Sequence, residues 1–305
     1  MNSGKIVAIV GKDSGRALVK KFWEMGANLT DVFVKDEKYR INGSGFKTFD
    51  DLFYKKTKTR LHKIQYLKDK VQLLKDISPE LIVMNFSEII KEEILNIPKK
   101  GIVGFHYAEL PDRRGCNPDM WAIIHGLTKS VVTLHYYDKR IDAGDIIDTE
   151  PFLINFEEDS QDVLNKINKG VVELMGRNLE KILNETAPRI KQEGKGIYTP
   201  RRTFEDGEIN WARMKAIDIY NLIRALRPPY GGAYSLCGKK EAKQKLYLLR
   251  GNLVNEKEIK NNKIIDWREK REIIHEKVKY FGEMYSLTGH GIIKITETRI
   301  GEIQE

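Results

Sequence analysis

The sequence has little cysteine and no long apolar run. Its two cysteines, Cys116 and Cys237, lie far apart in the 305 residues, so they define no disulfide framework. No CxxC pair or Cys/His cluster indicates a structural zinc site. No apolar stretch is long enough for a bilayer-spanning helix, and the N-terminal run is too short for a secretory signal. These absences lead us to expect a cytoplasmic protein that makes no membrane contact.

The chain also lacks a concentrated patch of charge. It carries 53 Lys and Arg against 44 Asp and Glu, a formal net charge of +9, and the two signs are mixed along most of its length. Such mixing is typical of a solvated surface more than of a dedicated nucleic-acid groove, although the excess of positive charge suits a phosphate-bearing ligand. A hydrophobic content of 41% indicates a globular protein.

The first half of the sequence alternates strand and helix patterns. Short β-branched runs, each typical of a buried strand, occur at 5–11, 29–36, 80–86 and 101–106. Amphipathic stretches at 14–26, 60–79 and 88–98 predict helices between them, and two more strands are predicted at 130–137 and 144–154. This alternation predicts a doubly wound, Rossmann-like α/β domain.

The pattern changes after a long amphipathic stretch at 159–185. Residues 189–210 are polar and punctuated by proline and glycine, as in a linker. A short helix and several short strands with glycine turns follow, including "KIIDW" at 263–267. We therefore predict an α/β domain over 1–188, a linker over 189–210 and a C-terminal small β-barrel (OB-like) domain over 211–305.

A histidine marks the predicted end of the fourth strand. His106 closes the run "GIVGFH", and Asn85 lies near the end of the preceding strand. In open parallel sheets, ligands bind at the carboxyl ends of the strands. A carboxylate from "YYDKRIDAGDII" would orient an imidazole and support proton transfer. The residues alone leave two interpretations of His106 open, a catalytic group or a structural one.

Two longer segments carry a family resemblance. "GFHYAELPDRRGCNPDMWAIIHG" followed by "VTLHYYDKRIDAGDII" resembles the core of the formyltransferases that use 10-formyltetrahydrofolate. Their pattern is N-x-H, L-P, R-G, P-x-x-W, V-T and L-D-x-G. The residues here that match it are His106, Leu110, Pro111, Arg114, Gly115, Pro118, Trp121, Val132, Thr133, Asp142 and Gly144. The resemblance resumes in "IYTPRRTFEDGEINW" and in the segment that begins "IYNLIRALRPPYGG".

The resemblance implies a reaction and a set of roles. A primary amine attacks the formyl carbon carried by 10-formyltetrahydrofolate, which builds a negative oxygen and requires the amine to lose a proton. His106 and Asp142 would stabilise the charge and move the proton, and no metal is needed. The loops around "MNFSEII" and "DKRIDAG" would hold the pteridine. The folate-binding candidates are Phe86, Ser87, Ile89, Asp138, Ile141, Gly144 and Asp145.

The sequence departs from this pattern at Gly104, where the family has the asparagine of N-x-H. Loss of one oxyanion donor typically lowers the rate about 10²–10³-fold. Three explanations stay open: an impaired relative, a branch that does without this amide, or another donor in its place. Asn85 is the first candidate for such a donor, and Asn117 is the second.

The acceptor site has four further candidates. Arg114 would contact an acceptor diphosphate or only brace its own loop. Gly11 and Ser14, in "GKDSGR", would cradle a phosphate at a helix N-terminus or form a simple tight turn. Asn117 completes the set.

Three functions follow from the resemblance. The favoured one is N-formylation of a nucleotide-linked amino sugar, because "VTLHYYDKRIDAGDII" is similar to sugar-modifying members. The second is formylation of methionyl-tRNA, which the positive charge would assist. The third is a catalytically impaired folate- or nucleotide-binding relative. The β-rich C-terminal domain could also mediate a homodimer.

Overall fold

The computed structural model describes residues 4–36, 38, 48–53, 58–86, 88–237, 244–255, 284–288 and 290–301. These residues belong to two compact units. The first comprises Met1–Pro118, Lys129–Leu153 and Leu164–Pro200, and the second comprises Asp119–Thr128, Ile154–Val163 and Arg201–Glu305. The boundaries predicted at 188 and 211 stay a prediction. The last division between the two units follows Pro200, and two short earlier segments, Asp119–Thr128 and Ile154–Val163, belong to the second unit.

The first unit is built on a seven-stranded sheet. Its strands are β1 (Ile6–Val10), β2 (Leu29–Lys35), β3 (Arg60–Ile64), β4 (Leu81–Asn85), β5 (Ile102–His106), β7 (Lys129–Tyr136) and β8 (Ile146–Leu153). They lie in the order β3-β2-β1-β4-β5-β7-β8, parallel from β3 to β5 and antiparallel from β5 to β8. The predicted Rossmann-like domain is confirmed.

Burial explains why this sheet forms. Every residue of β1, β4 and β5 is buried, as expected of central strands covered on both faces. The helices of the first unit are α1 (Lys12–Glu24), α2 (Asp50–Phe53), α3 (Val71–Ile77), α4 (Glu92–Leu95) and α6 (Ser160–Leu183), whose first turn belongs to the second unit. Two-residue strands β6 (Arg114–Gly115) and β9 (Tyr198–Thr199) pair with each other.

The second unit has its own core. Its helices are α5 (Pro118–Ile124), whose Pro118 belongs to the first unit, and α7 (Ala216–Ala225). Four antiparallel strands lie in the order β10 (Ala233–Cys237), β11 (Gln244–Val254), β13 (Ile292–Gly301) and β12 (Met284–Leu287). Trp211 is 1% exposed, packs with Met120 of α5 and Ile219 of α7, and donates its indole N–H to Ser235 at 3.0 Å. The predicted β-rich C-terminal domain is confirmed, and "KIIDW" lies outside the described residues.

Two helix predictions were wrong in part. Residues 60–79 do not form one helix: 60–64 are β3, 67–70 form a 3₁₀ turn, and only Val71–Ile77 is α-helical. Charge pairing across the strands explains the difference. Asp31 of β2 is fully buried, and its carboxylate accepts hydrogen bonds from Arg60 and His62 of β3. Residues 88–98 are helical only over Glu92–Leu95.

No helix among the described residues has the length and hydropathy needed to cross a bilayer. Within the same residues, no group of three or more His, Cys, Asp or Glu side chains is arranged to hold a metal ion.

The buried Asp31 cluster makes a stability prediction. Burial opposes ionisation, but the bonds from Arg60 and His62 outweigh it and hold the pKa of Asp31 below its usual value. The stabilisation is therefore present above the unfolded-state pKa and is lost as the pH falls through the folded-state pKa. Asp31→Asn should lower the free energy of unfolding at pH 7 by about 1–3 kcal/mol. It should also make the loss of stability below pH 4 shallower.

The matched control is Asp50→Asn. Asp50 is 55% exposed and pairs with Lys63 at 2.7 Å, so its loss should cost less than about 1 kcal/mol. Urea denaturation of both variants across the acidic range measures the difference. Equal effects of the two substitutions would contradict the role given to the buried cluster.

Candidate active site

His106 and Asp142 meet at one face of the sheet. His106 is 5% exposed, and its Nδ1 lies 3.5 Å from Asp142 Oδ2. Its Nε2 donates to the carbonyl oxygen of Arg113 at 2.5 Å. Each ring nitrogen therefore faces an oxygen acceptor, which fixes the plane of the imidazole. The structure brings together the two groups that the sequence analysis paired across 36 positions.

Hydrogen bonds from a backbone amide and from a side chain hold Asp142 and its loop in place. Asp142 adopts φ +49°, a left-handed conformation that Asp tolerates better than most residues. Its Oδ2 accepts from the backbone N–H of Gly115 at 2.9 Å. Gln192 donates its side-chain N–H to the carbonyls of Asp142 and Gly144, at 2.9 and 2.7 Å. Gly144 has no room for a side chain, since a Cβ would lie 1.9 Å from the carbonyl oxygen of Tyr136.

Arg114 braces the segment that holds this loop. Its guanidinium donates to Gln192 Oε1 at 3.0 and 2.8 Å and to the carbonyl of Lys195 at 3.3 Å. Thr199 donates to the carbonyls of Arg114 and Cys116 at 3.0 and 2.9 Å, which ties residues 192–199 to the 114–116 loop. Because Arg114 is only 6% exposed, the structure supports the bracing interpretation of this residue. Its predicted contact with an acceptor diphosphate stays a prediction.

Asn85, Tyr107 and Ser14 form a second group. The Tyr107 hydroxyl donates to Asn85 Oδ1 at 2.6 Å and lies 3.3 Å from Ser14 Oγ. This group lies where the strand order reverses, because β1 pairs with β2 on one side and β4 on the other. Ligands of open α/β sheets favour that position. Gly11, at the start of α1, donates its N–H to the carbonyl of Asn85 at 3.2 Å, so that amide is already used within the protein.

Strand geometry places Asn85 away from Gly104. Met84, not Asn85, is the residue paired with Gly104 between β4 and β5. Since side chains alternate between the two faces of a strand, Asn85 points to the face opposite Gly104 and His106. Its contact with Tyr107, which also alternates away from His106, agrees with this placement. The proposal that Asn85 replaces the missing amide stays a prediction, and the pleat of the sheet disfavours it.

The folate-binding candidates lie on two loops, one after β4 and one after β7. Phe86 and Ile89 follow β4, and Asp138, Ile141, Gly144 and Asp145 follow β7. Lys139 of the second loop pairs at 2.6 Å with Glu92, the first residue of α4. Ile89 is 77% exposed and Ile141 is 48% exposed, which leaves two apolar side chains available to a ligand. Asp138 pairs with Arg140 and Asp145 with Lys191, both at 2.9 Å. Ser87 lies outside the described residues.

Sequence reasoning missed Gln192 and Tyr137. Gln192 lies 50 positions beyond Asp142 in a segment read as a linker, and no pattern in the sequence joins the two. Tyr137 was noticed only as part of a strand. Asn117 adopts φ +52° and lies next to the 114–116 loop.

Comparison with known proteins places these residues in a family context. Residues 10–179 match the family described as formyl transferase, and residues 202–262 match its C-terminal domain. The methionyl-tRNA formyltransferase of Caldanaerobacter subterraneus is 30% identical over 223 residues, which cover 71% of this chain and 72% of the relative. The bifunctional polymyxin resistance protein ArnA of Wigglesworthia glossinidia is 33% identical over 60% of this chain and 27% of its own length.

Four further methionyl-tRNA formyltransferases are matched over between 52% and 59% of their length. Among solved structures, the N-formyltransferase of Helicobacter canadensis in complex with folinic acid and dTDP-3-aminofucose has a TM-score of 0.67. The match covers 97% of this chain and 99% of the Helicobacter chain, and the two sequences are 18% identical. That likeness shows a shared fold.

Gln192 offers a test of the loop assembly. Gln192→Ala removes two bonds to the carbonyls of the Asp142 loop and two from Arg114, so it should lower the free energy of unfolding by about 1–3 kcal/mol. Gln72→Ala is the matched control, because exposed Gln72 bonds to Asp76 within its own helix and its loss should change stability by about 0.5 kcal/mol or less. Urea denaturation compares them. Indistinguishable variants would show that the loop is held by other contacts.

Proposed function

The chain belongs to the formyltransferase family and is a formyl-transferring enzyme, and we propose that it moves a formyl group from 10-formyltetrahydrofolate to the primary amine of a nucleotide-linked amino sugar. The observation that carries the chemistry is the contact between His106 and Asp142 at 3.5 Å. An imidazole oriented by a carboxylate is suited to accepting and passing on a proton near neutral pH.

The donor part of the proposal fits the two loops beside this pair. A reduced pteridine is flat, with an apolar face and a hydrogen-bonding edge. Exposed Ile89 and Ile141 offer apolar contact to the face, and backbone groups of the loops offer partners to the edge. Burying an isoleucine contributes about 1.5–3 kcal/mol, enough to make such contacts useful in binding. When bound, the folate supplies the formyl group.

The chain's own residues then act on the proton and the charge. The acceptor amine forms a bond to the formyl carbon and loses one proton, while the folate nitrogen is released and takes up one proton. His106 lies within reach of Asp142, so the pair can hold the proton between these events. The Arg113 carbonyl and Gly115 N–H keep both groups oriented during the transfer. No residue of the pair needs a metal ion for this role.

The acceptor part rests on the segment around β7. The V-T-L-H run that resembles sugar-modifying members includes His135, which lies opposite Gly104 in the β5–β7 pairing. A sugar N-formyltransferase also matches the fold over nearly the full length of both chains. Methionyl-tRNA is the second candidate acceptor. The relative from Caldanaerobacter is a methionyl-tRNA formyltransferase, and the net charge of +9 on this chain suits a nucleic-acid substrate.

One assay separates these acceptors. The protein is incubated with 10-formyltetrahydrofolate and either a panel of nucleotide-linked amino sugars or charged initiator tRNA, and formylated product is measured. Formylation of a sugar amine supports the proposal. Formylation of tRNA alone overturns the acceptor, and failure with every acceptor despite folate binding would favour the impaired relative.

The same assay tests the His106–Asp142 pair. His106→Asn and Asp142→Asn should each lower kcat about 10²–10⁴-fold, because each removes part of the route for the amine proton. His125→Asn is the control, since His125 is exposed and, among the described residues, its ring contacts the Trp121 ring and its backbone N–H donates to the Trp121 carbonyl, a bond that the substitution keeps. Retention of full kcat by either site variant would contradict the assignment.

A further inference from the structure

The face of the sheet that carries His106 also carries Tyr137. In the pairing of β5 with β7, Gly104 is opposite His135 and His106 is opposite Thr133. Residues opposite each other share a face, and so do residues two apart in a strand. Tyr137 follows β7 and donates its N–H to the carbonyl of Ile102 at 2.8 Å, which continues the ladder by one residue. Tyr137 therefore lies on the face of Gly104 and His106.

The Tyr137 ring occupies the space that a side chain at position 104 would need. A Cβ built on Gly104 would lie 2.3 Å from Cε2 of Tyr137 and 2.9 Å from the carbonyl oxygen of Met84. Neither distance is compatible with a real carbon atom, and the second involves backbone that cannot rotate away. Gly104 and Tyr137 are thus complementary, because the glycine makes room for the phenol ring.

The phenol is fixed as a hydrogen-bond donor. Its ring stacks on His135 with centroids 5.3 Å apart and planes 7° apart. Tyr137 is partly buried, and its hydroxyl is not one of the buried polar atoms that lack a partner. Among the described residues, no hydrogen bond from this hydroxyl is found. The Tyr137 O–H is therefore accessible and is not used by another group among the described residues.

The electrostatic surroundings keep that proton in place. Burial raises the pKa of Tyr137 well above its usual value, and the charges of Asp142 and Tyr107 raise it further. The other groups that face the ring include His135, whose pKa burial lowers to about 4, with the charge of His106 adding to the effect. At neutral pH a neutral imidazole thus stacks against a protonated phenol.

We propose that the Tyr137 hydroxyl donates a hydrogen bond to the formyl oxygen and stabilises the negative charge that develops there. This inference rests on the proposed formyl transfer and adds a catalytic residue to it. A donor already oriented in a water-poor site stabilises such charge strongly, because it needs no reorganisation during the reaction. Tyr137, which follows β7, supplies a hydrogen-bond donor for the formyl oxygen. The site therefore has a donor although Gly104 carries no side chain. The proton stays on the tyrosine throughout.

Tyr137→Phe tests the donor while keeping the ring that fills the space at Gly104. We expect kcat to fall about 10²-fold, as for removal of one oxyanion donor, with KM for the acceptor changed less than about threefold. Tyr66→Phe is the matched control, since Tyr66 is 42% exposed and contacts Lys35 and Lys68 through its ring. A Tyr137→Phe enzyme with kcat within about threefold of the parent would overturn the proposal.

A binding measurement separates this inference from the proposed function. Calorimetry compares tetrahydrofolate with an unreactive carbon analogue of the donor that keeps the aldehyde. Tyr137→Phe should weaken the aldehyde analogue about tenfold, which corresponds to about 1.4 kcal/mol, and leave tetrahydrofolate unchanged. If the parent protein binds neither folate, the proposed function fails. If the parent binds both and the variant binds both equally, only the role of Tyr137 fails.

A swap variant guards against a purely structural effect. Tyr137→Ser should lose activity, and adding Gly104→Asn to it places an amide in the space that the ring has left. The double variant should recover part of the kcat lost in Tyr137→Ser, since the amide again provides a donor on the same face once the Met84 carbonyl oxygen shifts to admit it. Gly104→Asn alone should be impaired, because the ring is still present. Asn85→Ala causing the larger loss, with Tyr137→Phe unaffected, would assign the role to Asn85 instead.

Discussion

The antiparallel pairing of β5 with β7 is the constraint on which the candidate site depends. It places the carboxyl end of β5 beside the middle of β7, so that Thr133 lies opposite His106 and His135 opposite Gly104. The chain leaves β7 near the other end of β5, and the 138–145 loop must then fold back for Asp142 to reach His106. That return carries the loop over the face where Tyr137 and His135 lie. One reversal of strand direction thereby places an acid, an imidazole and a phenol together.

The fold-back needs support, because a left-handed aspartate and a glycine pressed against a carbonyl oxygen are not stable by themselves. Gln192 supplies it by donating to the carbonyls of Asp142 and Gly144, Arg114 holds Gln192 in turn, and Gly115 donates its amide to the Asp142 carboxylate. Each bond contributes only about 1 kcal/mol net, but together they restrict Asp142 to one position. The position of the Asp142 carboxylate is thus fixed by residues that take no part in the transfer itself.

The sequence predicts the parts of this arrangement that depend on local pattern. Buried β-branched runs identified the central strands, and the motif around His106 and Asp142 identified the pair that meets. Residues 60–64 were read as helix because their apolar spacing fits one, whereas the preference for a strand comes from Asp31, about 30 positions earlier. Gln192 and Tyr137 act through contacts between distant segments. No periodicity or propensity records such contacts, so the sequence alone does not show them.

Gly104 shows that a donor role need not be carried by the residue at the position where the family pattern has it. Considered by itself, the glycine indicates a lost amide and a damaged enzyme. In the structure the Tyr137 ring occupies the space that a side chain at 104 would need, and the Met84 carbonyl oxygen also lies too close to admit one. A side chain at 104 would clash with the Tyr137 ring, and loss of the ring alone would leave a void beside Gly104. A glycine at this position is therefore compatible with a site that uses a different donor, the Tyr137 hydroxyl that we propose, because the ring that carries this hydroxyl fills the space beside the glycine.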